Sequence, residues 1–150
     1  MASTISNNTL TILIHESIEL GGIERGSKQI LSISNVNEID NRIITALSSS
    51  EQSLFKLSNA ASAGTFITSS MKYARITNKD DTYPIRLRVS SSQSHTDFQV
   101  AAGGSFMLTT SKNSGSMAGA SNYQTYNDIS DVLVQATGSN IDVEYFIAST

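Results

Sequence analysis

The chain has 150 residues, of which only 15% are charged, whereas 26 are serine and 14 are threonine. Because it contains no cysteine, disulfides, thiolate zinc sites and thiol redox chemistry are excluded, and a chain of this length can bury a core without them. The net charge of −3 argues against sequence-independent binding of nucleic acid, which depends on a surplus of cations.

Short apolar runs follow one another at the spacing typical of a β-sandwich or barrel, which indicates one β domain spanning residues 1–150. The pattern predicts strands at 9–15, 28–35, 41–47, 53–57, 71–77, 85–89, 96–100, 105–110, 129–135 and 141–148. The best helix candidate is 49–58, although Phe55 and Leu57 alternate there as in a strand. We therefore predict an all-β fold, an antiparallel β-sandwich that is jelly-roll-like or Ig-like, with at most one short helix.

The N-terminal region gives no sign of export or membrane insertion. The apolar run 10–14 lacks a preceding basic segment and is followed by His15 and Glu16, unlike a signal peptide. No apolar run approaches the roughly 18 residues that cross a bilayer. We expect a protein that is made in the cytoplasm and has no membrane partner.

Residues suited to catalysis are few. The two histidines are His15 and His95, and a Ser-His-Asp set packed into 94–97 cannot form a triad, because neighbouring side chains on a strand point to opposite faces. Asp80 and Asp81 are typical of a turn, and a calcium site there would need several further oxygens. The chain also lacks a glycine-rich phosphate loop. We therefore predict no enzymatic activity and no metal or other cofactor.

Two charged faces are candidates for an interface. Arg86 and Arg88 share one face of a predicted strand, and Asp142 and Glu144 share one face of another. No lysine or arginine follows Lys112, so the last quarter of the chain is acidic. The two sets either pair within one sheet or meet across a subunit boundary, and both alternatives remain open at this stage.

Two other features bear on packing and assembly. Phe106 and Tyr145 lie in alternating runs, and we expect both rings in the core. The low-complexity segment 113–122 is either a flexible surface loop or an arm that orders against a neighbouring subunit.

Three segments resemble small structural virion proteins of tailed bacteriophages, marine ones in particular. The segments are 73–89, with Tyr-x-Arg-Ile-x-Asn-x-Asp-Asp at its start, 98–108, with Ala-Gly-Gly-Ser-Phe-Met-Leu at its end, and the closing Asp-Val-Glu-Tyr-Phe-Ile-Ala of 142–148. The resemblance implies a non-enzymatic virion protein, with a capsid decoration or cement protein as the first expectation and a tail-tube, neck or tail-tip subunit as the alternative. It also implies a homo-oligomer, expected to be a trimer, with the major capsid protein as a partner.

Two other classes of protein compete with this expectation. A carbohydrate- or receptor-binding module is disfavoured by the absence of tryptophan, since sugars stack on exposed aromatic rings. A secreted hydrolase is disfavoured by the scarcity of catalytic residue types described above.

Overall fold

A computed structural model describes residues 8–60, 62, 64–67, 70–91, 95–109 and 129–150. Thirteen strands and no helix occur among these residues, so the helix candidate at 49–58 is wrong. A strand covers Gln52–Ser58 instead, and Phe55 and Leu57 are both buried in it, as their alternation in the sequence indicated. Contacts divide the chain into two compact units, Met1–Asn37 with Thr150 and Glu38–Ser149.

The first unit is a long β-hairpin. Strand β1 (Asn8–Glu16) pairs antiparallel with β4 (Ser27–Val36), and the short strands β2 (Glu19–Leu20) and β3 (Ile23–Glu24) form a second ladder. Gly21 and Gly22 connect β2 to β3 with φ angles of 62° and 77°. Two successive positive φ angles fit the tight turn that matches the twist of a hairpin, which glycine adopts without strain.

The second unit contains two sheets that pack against each other, which confirms the predicted all-β sandwich. Sheet I has the order β10–β9–β12–β6–β7, with β6 (Gln52–Ser58), β7 (Thr65–Ile67), β9 (Ile85–Ser91), β10 (His95–Val100) and β12 (Ile129–Ala136). Sheet II has the order β11–β8–β13–β5, with β5 (Glu38–Ala46), β8 (Met71–Asn78), β11 (Ser105–Leu108) and β13 (Ile141–Ser149). All neighbouring strands are antiparallel except β6 and β7, which are parallel.

The core is formed by the inward-facing residues of both sheets. Ile85 and Leu87 of β9 are buried, and so is every second residue of β13 from Ile141 to Ile147, as expected for strands with one face on a core. Tyr145 is buried and lies 5.9 Å, centroid to centroid, from Phe55 of the opposite sheet, so the prediction for Tyr145 is confirmed. Phe106 is only partly buried and packs against the core beside Phe98, at a ring distance of 4.7 Å.

Four connections between the sheets lie at one end of the sandwich. They are residues 47–51, 79–84, 101–104 and 137–140. Backbone hydrogen bonds join them: Gly103 N donates to Asp80 O at 2.8 Å and Thr137 N donates to Pro84 O at 3.3 Å. This end of the sandwich is therefore held together by polar contacts between loops.

Candidate functional site

Arg86 and Arg88 lie on the outer face of sheet I, opposite the buried Ile85 and Leu87. Their shared face agrees with the alternation in the sequence. Sheet order places β10 on one side of β9 and β12 on the other, so residues of three strands surround the two guanidinium groups.

Both arginines have acidic partners within their own unit. Arg86 Nη2 donates to Glu51 Oε1 and, at 2.6 Å, to Gln135 Oε1. Arg88 makes a two-point contact with Asp97, with Nε–Oδ1 at 2.7 Å and Nη2–Oδ2 at 2.9 Å, and its Nη1 donates to Glu51 Oε2 at 3.1 Å. We call these five side chains the charged network. Its two cations and two carboxylates balance, so the charged network has no net charge.

The hydrogen bonds of the charged network also favour its ionised state. The pKa of Asp97 lies below its ordinary value, mainly because Arg88 donates to the carboxylate. The same contact raises the pKa of Arg88. The two groups therefore stabilise each other's charge, as expected for a bidentate arginine–carboxylate pair.

The acidic pair of the sequence prediction lies in the other sheet. Glu144 accepts from Arg75 Nη2 at 2.5 Å and lies 3.7 Å from Lys79 Nζ. Asp142 accepts the hydroxyl of Thr45 at 2.8 Å. The structure therefore does not bring Asp142 and Glu144 to the two arginines of β9, which belong to sheet I. That any of these four residues contacts another subunit stays a prediction.

Asp80 and Asp81 belong to a turn, as their residue types indicated. Asp80 Oδ1 accepts the backbone N–H groups of Thr82 and Tyr83, each at 2.7 Å, and these bonds lower the pKa of Asp80. Among the described residues, no group of three or more histidine or acidic side chains is placed to hold a metal ion.

A cavity of about 340 Å³ opens at the side of the sandwich between the edge strands β5 and β7. We call it the lateral cavity. Aromatic rings and charged groups both line it, among them Asp40, Arg42, Phe55, Thr65, Phe66 and Tyr145. A cavity of this size with apolar walls and a few polar groups is typical of a small-ligand site.

Asp40 organises the polar side of the lateral cavity. It accepts the hydroxyl of Tyr145 at 2.9 Å and Nε of Arg42 at 2.9 Å. Burial and then the hydrogen bond to Asp40 raise the pKa of Tyr145 to about 12. The phenol therefore stays protonated, and it holds the carboxylate in one position.

The hairpin exposes large apolar side chains. Leu13 and Ile30 are 60% and 66% exposed and stand opposite each other on one of its faces. Three more exposed apolar residues lie in or beside its short ladder: Ile18, Leu20 and Ile23. We call these five residues the apolar hairpin residues.

Sequence reasoning missed the partners Glu51 and Asp97 and the Asp40–Arg42 pair. Asp40 and Arg42 are two positions apart in a strand, so their spacing alone indicated a shared face. The contact of Asp97 with Arg88 was harder to predict from the sequence, since it depends on the register of β9 and β10. The segment 113–122 lies outside the described residues.

Comparisons of the chain with models of known protein families, with curated proteins and with solved structures yield no match. No helix that could cross a membrane occurs in the part of the chain that the structure describes.

Proposed function

We propose that this chain is a non-enzymatic structural protein of a tailed-bacteriophage virion, in which it decorates and stabilises the capsid shell. Copies would associate with one another and with the major capsid protein. The observation that carries the proposal is the exposure of the apolar hairpin residues.

A two-stranded hairpin is marginally stable in water, because it cannot bury enough apolar surface by itself. Leu13 and Ile30 form a cross-strand apolar pair that is more than half exposed. Contact with a neighbouring molecule would remove this surface from water at roughly 25 cal/mol for each Å² buried. A shell in which many copies repeat supplies such a neighbour at every position.

The outer face of sheet I suits dense packing for a different reason. Because the charged network pairs Arg86 and Arg88 with Glu51 and Asp97, neighbouring copies would not meet a surplus of one charge there. The sequence resemblance to small virion proteins, given by residues 73–89, 98–108 and 142–148, supports the same role.

The location of the protein tests the proposal. Virions of the phage that encodes the chain would be purified, their heads separated from their tails, and each fraction quantified by mass spectrometry against the major capsid protein. We expect the chain in heads at a fixed ratio to that protein. Recovery in tails alone would replace decoration by the tail-tube, neck or tail-tip alternative, and absence from both fractions would overturn the virion role.

The lateral cavity favours a second candidate function, binding of a carbohydrate or a receptor. Phe55, Phe66 and Tyr145 supply apolar walls, and Asp40 and Arg42 supply polar groups for hydroxyls. Calorimetric titration of the protein with mono- and disaccharides would test this function, with Phe66→Ala as the cavity variant. Saturable binding that the variant loses would support it, and no binding by the wild-type protein would exclude these ligands.

A further inference from the structure

We propose that strand β5 pairs with β5 of a second copy of this chain, antiparallel and about a two-fold axis at Asn41. The inference rests on the proposed function and deepens it, because it names a contact through which copies associate. A two-fold contact joins copies in pairs, in contrast to the trimer that the sequence resemblance implied.

Among the described residues, no strand pairs with one edge of β5. This strand ends sheet II and hydrogen-bonds to β13 on its other side. Its nine residues present a row of backbone groups about 30 Å long, which is a template for another strand. On its outer face, Ile39 and Ile43 are 63% and 62% exposed, and the strand contains no proline. Charged residues can also block an edge, but Asp40 and Arg42 of this strand are of opposite sign and pair with each other.

The sequence of β5 is complementary to itself. When Asn41 of each copy stands opposite Asn41 of the other, Ile39 lies opposite the second copy's Ile43 on the outer face. On the inner face, Asp40 then lies opposite the second copy's Arg42. Because a two-fold contact is isologous, each of these pairs occurs twice. Cross-strand pairs of apolar residues and of opposite charges are the ones that stabilise a ladder.

The same charges disfavour the neighbouring registers. With a two-fold axis perpendicular to the sheet, each residue of β5 stands opposite a residue of the same face in the second copy. The neighbouring registers are those in which the axis moves by one residue, to Asp40 or to Arg42. An axis at Asp40 would place the two Asp40 carboxylates opposite each other. An axis at Arg42 would oppose the two Arg42 guanidinium groups, and both shifts separate the isoleucines. Only the axis at Asn41 joins unlike charges and apolar partners together.

Arg42 is available for this contact. Its side chain is 67% exposed, and it uses Nε to reach Asp40 within the chain. Its two terminal nitrogens can donate to the second copy's Asp40, since a guanidinium presents five donors in a fork.

Cysteine cross-linking tests the register, because the native chain contains no cysteine. In the Asn41→Cys variant the two Cβ atoms would lie about 4.5–5.5 Å apart, close to the distance of a disulfide. The Thr45→Cys variant is the matched control, since its two cysteines would be eight residues, or about 26 Å, apart along the ladder. Under mild oxidation we expect covalent dimers of the first variant and background levels for the second.

A charge exchange tests the same contact without cysteine. Asp40→Arg and Arg42→Asp would each place like charges opposite one another, and each should weaken self-association about tenfold or more. A mixture of the two variants restores both opposite-charge pairs, so we expect a heterodimer of near wild-type affinity in sedimentation equilibrium. Lys56→Asp makes a similar charge change at an exposed position outside β5 and should leave association unchanged. Thermal melts would verify that every variant folds.

Equal cross-linking of the two cysteine variants, or a mixture that associates no better than its components, would overturn the β5 contact. If the chain then still occurs in heads at a fixed ratio, the proposed function stands without this contact. If cross-linking is specific but the chain is absent from virions, the contact stands and the proposed function fails.

Discussion

The side-chain nitrogen of Asn78 lies 2.9 Å from the carbonyl oxygen of Tyr83, so a buried residue of β8 holds the turn that leads into β9. The same nitrogen donates to the carbonyl of Ala101 at 3.1 Å, and Asn78 Oδ1 accepts from Asp80 N at 3.0 Å. Asn78 is 1% exposed, and a buried amide is stable when its donors and acceptor are all used. One side chain therefore ties two inter-sheet connections together.

Replacement of Asn78 by aspartate should destabilise the protein strongly. The shape is retained, but the carboxylate has no N–H to donate and would face the carbonyls of Tyr83 and Ala101. Since an unsatisfied buried polar group costs about 1–3 kcal/mol, and more when it is charged, we expect a loss of about 3 kcal/mol in the free energy of unfolding. Urea denaturation would measure it, with the exposed Asn59→Asp as control. A loss below about 0.5 kcal/mol would contradict the assigned role.

The turn at 79–84 was predictable from its residue types, whereas the role of Asn78 was not. Asparagine beside Lys79 and Asp80 is typical of an exposed turn, and the sequence contains no sign that this amide is enclosed. The amide contacts the 101–104 connection, which lies more than twenty residues further along the chain. Contacts between distant segments leave no periodicity in a sequence.

The limits of sequence prediction were similar elsewhere. Ten strands were predicted close to their observed positions because each spans several alternating residues. Three were missed, β2, β3 and β7, which have only two or three residues each and show no periodicity. The parallel pairing of β6 with β7 was also missed, since a sandwich of this kind is mostly antiparallel. The charged face of Arg86 and Arg88 was predicted, but their partners depend on register.

Reversal of both charges, Arg86→Glu with Arg88→Glu, should lower the free energy of unfolding and the urea midpoint. It removes several partly exposed ion pairs, each worth about 0–1 kcal/mol, and adds repulsion from Glu51 and Asp97. Urea denaturation measures the loss.

A control separates this internal role from a role in assembly. Exchange of one pair, Arg88→Asp with Asp97→Arg, keeps opposite charges across β9 and β10. This variant should therefore lose less of the free energy of unfolding than the double reversal does. If the double reversal leaves stability unchanged but abolishes assembly, the arginines act at a subunit interface and not mainly within the network.

Stability should fall at alkaline pH through Tyr145. Its pKa is raised to about 12 in the folded protein, against about 10 in an unfolded chain. Between these values the folded state keeps a proton that the unfolded state releases, so the stabilisation is complete below pH 10 and is lost as pH rises toward 12. Tyr145→Phe should cost about 1–3 kcal/mol at pH 7, because it removes the hydrogen bond to Asp40, and its stability should fall less steeply above pH 10. Parallel curves for both proteins, measured by urea denaturation from pH 7 to 11.5, would contradict this assignment.

Gly26 should be essential for the hairpin, because a side chain there has no room. A Cβ atom would overlap the backbone oxygen of Glu16 and lie 2.6 Å from the carboxylate of Glu24, which itself accepts the N–H of Gly26 at 3.1 Å. Overpacking of this kind costs about 1–3 kcal/mol, which a marginal two-stranded hairpin cannot absorb. In Gly26→Ala we expect amide hydrogen exchange to lose protection across β1 and β4, while residues of the second unit keep theirs. Ser27→Ala removes only a hydroxyl that donates to Glu16 at 2.7 Å, so it should retain the hairpin.

Since the apolar hairpin residues carry the proposed contact with neighbouring copies, Gly26→Ala should also be depleted from virions. Normal incorporation of this variant would contradict a role of the hairpin in that contact.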